Sequence, residues 1–201
     1  MQLERRFTTS ELRAEGEGRT ITGYAAVFNS LSQVLWGFRE KIAPGAFAEA
    51  LGDDVRALWN HDTGIVLGRT ISGTLRLHED EKGLRVEIDP PESAVAQVES
   101  IRRGDVNQMS FGFNTLEDTW DEDEDGQIIR TLKKVKLFEV SPVVFPAYTA
   151  TSVGVRSDEI YGVIPEIPAE LRRASSSATD ELSQARARLR KRQRLLDLLS
   201  I

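Results

Sequence analysis

Cysteine is absent from this 201-residue chain, and histidine occurs only twice, at His61 and His78. Without thiols there are no disulfide staples, no thiolate metal sites and no cysteine nucleophile. No run of eighteen apolar residues occurs, which excludes a membrane-spanning helix. The opening residues Met1-Gln2-Leu3-Glu4-Arg5-Arg6 lack the apolar stretch of a secretory signal. The composition fits a cytosolic protein, and at 40% apolar residues there is enough material for one core.

Charge is unevenly spread. The net value is −6, yet residues 170–201 hold eight Arg and Lys against four Asp and Glu, a net of +4, so the preceding 169 residues carry −10. An acidic body is a poor partner for nucleic acid, while the basic tail suits a separate task. Pro165, Pro168 and Ser175-Ser176-Ser177 read as a linker. The expected organisation is a body over residues 1–156, a linker over 157–179 and a basic amphipathic helix over 180–201. In that helix Leu182, Ala185, Leu189, Leu196 and Leu199 recur at spacings that suit self-association, with Arg192 interrupting the seam. Six cations between Arg186 and Arg194 favour an acidic partner, and a solvated tail is the plainer reading.

The body reads as short strands. Residues 19–28, 55–61, 65–78 and 83–89 have strand character, and 106–120 with 127–140 form a long hairpin around an acidic loop. Pro44 opens an expected short helix ending near Leu51. Val95, Val98 and Ile101 give residues 92–103 a helical period that Gly104 stops. Pro142 and Pro146 restrict any strand over residues 140–145 to a short or edge position. The fold class expected is α+β, mainly β: a closed or nearly closed barrel with helices packed on it, plus the helical tail.

Three residues are candidates for chemistry. A nucleophilic hydroxyl needs a base, and the base needs a group that orients it. Ser110 alternates with Met109, Phe111 and Phe113, so it shares the opposite strand face with Gly112, and that leaves room above its hydroxyl; a surface serine is the plainer alternative. Val55, Ala57, Trp59 and His61 share parity, which makes His61 either a base or a histidine satisfied at the edge of the core. Glu139 has the parity of Val135 and Leu137, suggesting an inward carboxylate paired either with a histidine or with an arginine such as Arg69 or Arg102. Asp62 adjoins His61 and points to the other face. His78 shares the polar face of Thr74 and Arg76 and reads as exposed.

No cofactor or metal is expected. One histidine beside one aspartate is a poor zinc ligand set. Asp121-Glu122-Asp123-Glu124-Asp125-Gly126 opens like a calcium loop, but Leu132 stands where the twelfth-position glutamate belongs, and strand-like flanks favour a solvated hairpin tip.

Several of these pieces also fall into a family pattern. Ile21-Thr22-Gly23-Tyr24-Ala25-Ala26-Val27-Phe28-Asn29 comes first, followed by Ile42-Ala43-Pro44-Gly45-Ala46-Phe47, Trp59-Asn60-His61-Asp62 and Leu67-Gly68-Arg69-Thr70. Arg103-Gly104-Asp105-Val106-Asn107-Gln108-Met109-Ser110-Phe111-Gly112-Phe113 follows, then Glu139-Val140-Ser141-Pro142-Val143 and Pro146-Ala147-Tyr148. In this order they resemble the prohead, or procapsid maturation, serine proteases of tailed phages. The resemblance implies a fold similar to the herpesvirus assembly protease, a β-barrel ringed by helices. It implies His61 as general base and Ser110 as nucleophile. The herpesvirus enzymes use a second, downstream histidine as third member; none follows His78 here, and Glu139 in the Glu-Val-Ser block is the expected substitute. Also implied are a capsid-precursor or scaffold substrate, self-cleavage, and a place inside the procapsid in the bacterial host cytoplasm. A non-enzymatic assembly protein on the same fold is the alternative.

Overall fold

The computed structural model describes residues 3–9, 12–14, 19–144 and 162–172. The expected 180–201 helix, most of the 157–179 linker and the Pro146-Ala147-Tyr148 piece lie outside the described residues.

Two sheets share one core. The first has the order β1 (Glu4–Thr9), β9 (Gln108–Glu122), β10 (Ile128–Val143), β5 (Arg56–Trp59), β6 (Asp62–Arg69), with β4 (Arg39–Ile42) also on β10. The second runs β2 (Arg13–Ala14), β3 (Ile21–Val27), β8 (Gly83–Ile88), β7 (Leu75–Glu79). Strand β10 is the spine: it is antiparallel to β9 along its length and parallel to β4 and then to β5 on its other edge. Met109, Phe111, Phe113, Leu137 and Val140 from the first sheet meet Ile21, Leu84, Val86 and Ile88 from the second in a single apolar cluster. The rings interlock, Phe47 edge-on to Phe111 at 5.5 Å and Phe111 stacked on Phe113 at 4.9 Å.

The mainly β expectation holds, but no closed barrel is found among the described residues. Among the described residues no ladder joins the two sheets. The expected 65–78 strand breaks between β6 and β7 at a turn, where Gly73 has φ +71° and donates its N–H to the Thr70 carbonyl at 2.9 Å. The chain turns a corner there instead of continuing one ladder. At that corner Gly68 passes so close to Thr74 that a Cβ would lie 2.5 Å from its carbonyl oxygen.

Helical content is also smaller than expected. Residues 44–49 form successive turns, and only Ala50–Gly52 makes a 3₁₀ turn. Gly45, at φ +85°, is incompatible with a continuous helix. Helix α1 (Val95–Arg102) is present and buries Val98 and Ile101, while Val95 at its start is 62% exposed. The 3₁₀ turn Glu92–Ala94 ahead of it puts Ala94 against the core in Val95's stead. Gly104 ends this segment at φ +80°. Among the described residues no helix is long and apolar enough to cross a membrane.

Pro142 lies next to last in the long strand β10, opposite Met109, whereas a short or edge strand was expected. Its carbonyl accepts the Asn60 N–H at 2.9 Å, so its ring nitrogen faces the same neighbour. The β5–β10 ladder has already ended at Ala57↔Val140, so the missing N–H leaves no paired carbonyl behind. The acidic hairpin tip is held by its own chain: the Asp123 carboxylate accepts the N–H groups of Asp125 and Gln127 at 3.1 and 2.8 Å.

One end of the first sheet carries a buried ion network. Arg130 donates to Glu4 at 2.6 Å, to Glu40 at 2.9 Å and to Asp118 at 2.6 Å, and Arg6 donates to Glu40 at 2.6 Å and to Glu4 at 2.8 Å. These bonds tie β1, β4, β9 and β10 together. Burial pushes the Glu4 carboxyl up, but the bond from Arg130 and the charges of Arg6 and Arg130 outweigh it and hold the group below the usual glutamate value. The Arg130→Ala variant leaves the buried Glu4 and Glu40 carboxylates to share Arg6 alone, and is expected to lose about 3–5 kcal/mol in a denaturant titration. A carboxylate whose folded pKa is depressed adds stability above its unfolded pKa and loses it as pH falls through the folded one. Thermal melts should therefore decline as pH drops below about 4.5, the unfolded glutamate value, and Glu4→Gln should flatten part of that decline.

Candidate active site

His61 sits in a two-residue turn, not in a strand. Trp59 pairs with Asp62, and between them Asn60 and His61 have φ of 53° and 63°. Two consecutive positive φ values define a type I′ hairpin turn, which Asn-Gly fills most readily. Histidine in the glycine place costs about 1–2 kcal/mol. The surroundings hold it there: Asn60 is tied to Pro142 through its N–H, and Asp62 accepts the Gly64 N–H at 2.8 Å. Asp62 is thereby engaged away from the imidazole.

Glu139 reaches the imidazole because of a bulge in β10. Leu137 pairs with Phe113, but Glu139 pairs with Gly112, so β10 carries one extra residue, Phe138. Cross-strand partners share a face, so the bulge puts Glu139 opposite to Leu137, which corrects the parity expectation. Its face is that of Ser110 and Gly112. The carboxylate fills the space that glycine leaves: a Cβ on Gly112 would lie 2.5 Å from Glu139 Oε1. The room expected above Ser110 is thus partly occupied by a functional group.

The Glu139 residue is 7% exposed and has two partners. Oε1 is 2.7 Å from His61 Nδ1, and Oε2 accepts the Ser141 hydroxyl at 2.5 Å. Neither arginine considered as a partner is in this role: Arg69 makes a two-pronged bond to Asp54, 2.7 Å on each arm, and Arg102 bonds Glu99 at 3.0 Å. An ionised carboxylate only accepts, so this contact places the imidazole proton on Nδ1 and leaves Nε2 with a free lone pair.

Ser110 is fully buried on the same sheet face. Its cross-strand neighbours are Phe7 on β1 and Ser141 on β10. The Phe7 ring meets the His61 ring edge-on at 5.9 Å, and Ser141 bonds the carboxylate that holds His61. Both neighbours of Ser110 therefore lead to the same imidazole. Ser110 Oγ and His61 Nε2 are not hydrogen-bonded to each other; both are buried, and neither has a hydrogen-bond partner among the described residues. His78 lies on β7 and is exposed, as expected.

Sequence reasoning did not single out Phe7 or Ser141 as parts of the site, and it gave Gly112 only the part of leaving room above Ser110. Ser141 had a legible signal, since Glu-x-Ser on a strand puts both side chains on one face. No group of three or more His, Cys, Asp or Glu among the described residues is arranged to hold a metal.

A hydroxyl, an imidazole and a buried carboxylate joined to the imidazole are the parts of a serine-hydrolase site. A family model described as caudovirus prohead serine protease matches residues 6–163. The chain belongs to that family. No curated protein and no solved structure matches it.

Gly112→Ala tests the packing of the site. The added methyl meets the carboxylate and should cost about 1–3 kcal/mol in a denaturant titration. It should also change the His61 imidazole resonances in an NMR spectrum while leaving those of His78 in place.

Proposed function

We propose that this protein is a serine endopeptidase that cuts a capsid precursor or scaffold protein during procapsid maturation. The observation that carries this reading is the part-buried His61–Glu139 hydrogen bond on the sheet face of Ser110. Family membership supplies the substrate class and the location, the procapsid interior within the host cell. In this mechanism His61 Nε2 takes the Ser110 proton as Oγ bonds the carbonyl carbon of the scissile peptide. His61 then gives that proton to the leaving nitrogen, the C–N bond breaks, and an acyl-enzyme remains. Water, deprotonated by the same imidazole, repeats the attack and frees Ser110. Glu139 holds the Nδ1–H tautomer and stabilises the imidazolium formed in each step. Ser110 Oγ and His61 Nε2 are shielded from solvent, so a peptide enters only when their cover, which includes the Phe7 ring, moves.

Self-cleavage, and delivery to the shell by the 157–201 tail, belong to the same proposal. Within a procapsid many substrate segments share a small volume, so a high effective concentration offsets weak intrinsic affinity.

Co-expression with the adjacent capsid gene tests the class. Wild type should yield a discrete cleavage product, and Ser110→Ala and His61→Ala should abolish it with assembly intact. A product that persists in Ser110→Ala would leave the non-enzymatic assembly role standing. Glu139→Gln should lower the cleavage rate by about 10⁴-fold, because the amide no longer fixes the imidazole tautomer.

A further inference from the structure

We infer that Ser141 is a positioning residue for the imidazole, acting through Glu139; this inference rests on the proposed triad. Ser141 is fully buried and its hydroxyl donates to Glu139 Oε2 at 2.5 Å. The other carboxylate oxygen is the one at His61 Nδ1. A carboxylate has few ways to rotate when both oxygens are held, and Gly112 packs beneath it with no space to spare. The hydroxyl also supplies a hydrogen bond that an exposed carboxylate would take from water. Ser141 stands directly across the ladder from Ser110, two residues from Glu139 on one strand face. The same register therefore sets the nucleophile, the orienting carboxylate and the group that holds the carboxylate.

This role differs from simple core filling. A core serine is replaceable by alanine at little functional cost. A positioning serine loses its effect only when the carboxylate it holds is lost first.

The test uses the full chain and a fluorophosphonate probe, which needs no knowledge of the cleavage site. Ser110 Oγ bonds phosphorus, fluoride leaves, and the hydroxyl proton goes to His61 Nε2. Ser141→Ala should slow labelling of Ser110 by about 10- to 100-fold, the range of one hydrogen bond to a charged group. Ser141→Thr, which keeps a hydroxyl on a strand, should recover most of the rate. In a Glu139→Gln background the Ser141→Ala change should have almost no further effect. Equal labelling of Ser141→Ala and wild type, or an undiminished loss in the Glu139→Gln background, overturns the inference.

Proton NMR of the same variants gives a readout that does not require activity. With two histidines in the chain, His61 is assigned readily against exposed His78. A downfield Nδ1–H signal from His61 is expected in wild type and Ser141→Thr and should be lost or shifted upfield in Ser141→Ala. An unchanged signal in Ser141→Ala rejects the role. If wild-type Ser110 is not labelled at all, the protease reading fails, and the NMR comparison still decides whether Ser141 orients the histidine through Glu139.

Discussion

One extra residue in β10 decides which side of the sheet the carboxylate occupies. A strand alternates its side chains strictly, so without the Phe138 bulge Glu139 would follow Leu137 into the apolar core. With it, Glu139 joins Ser110 and Gly112, and Ser141 follows two residues later on the same face. The imidazole contact and the close seat on Gly112 both depend on that single shift in register. A bulge beside a functional group is thus a design element of this fold, not a defect in its ladder.

The same two strands carry polar machinery at both ends. At one end Arg6 and Arg130 neutralise Glu4 and Glu40 in a buried network that fastens β1 and β4 to β9 and β10. At the other end the polar groups are only partly satisfied: Glu139 is saturated, whereas Ser110 Oγ and His61 Nε2 are left over. Strands β1 and β9 belong to both ends, so the ion network fastens the strands that carry Phe7 and Ser110. Phe7, three residues after Glu4, packs on the imidazole from the strand that the ion network anchors.

Local strain has a similar logic. His61 occupies a left-handed turn position that glycine would fill more cheaply. In regular strand geometry its side chain would follow the alternation of β5. The turn lifts the ring off that strand and aims Nδ1 at β10. The strain is tolerated because Pro142 and Glu139 hold the turn from the neighbouring strand.

Much was legible before any coordinates. Two histidines, no cysteine and the ordered motif pieces were enough to name the family and to put forward His61, Ser110 and Glu139 as candidates, since residue type and spacing are local properties. The long β9–β10 hairpin and α1 were legible for the same reason, through alternation and helical period. Strand parity misjudged Glu139, and continuity of pattern misjudged the 65–78 strand, the 44–51 helix and the closure of a barrel. Those outcomes depend on bulges, positive φ angles and corners, where one residue's conformation is chosen by its neighbours across the sheet. Composition and order thus determined which groups are available for chemistry. Only the tertiary structure decided which of them meet, because register between strands distant in sequence is set by packing and hydrogen bonding that no single segment contains.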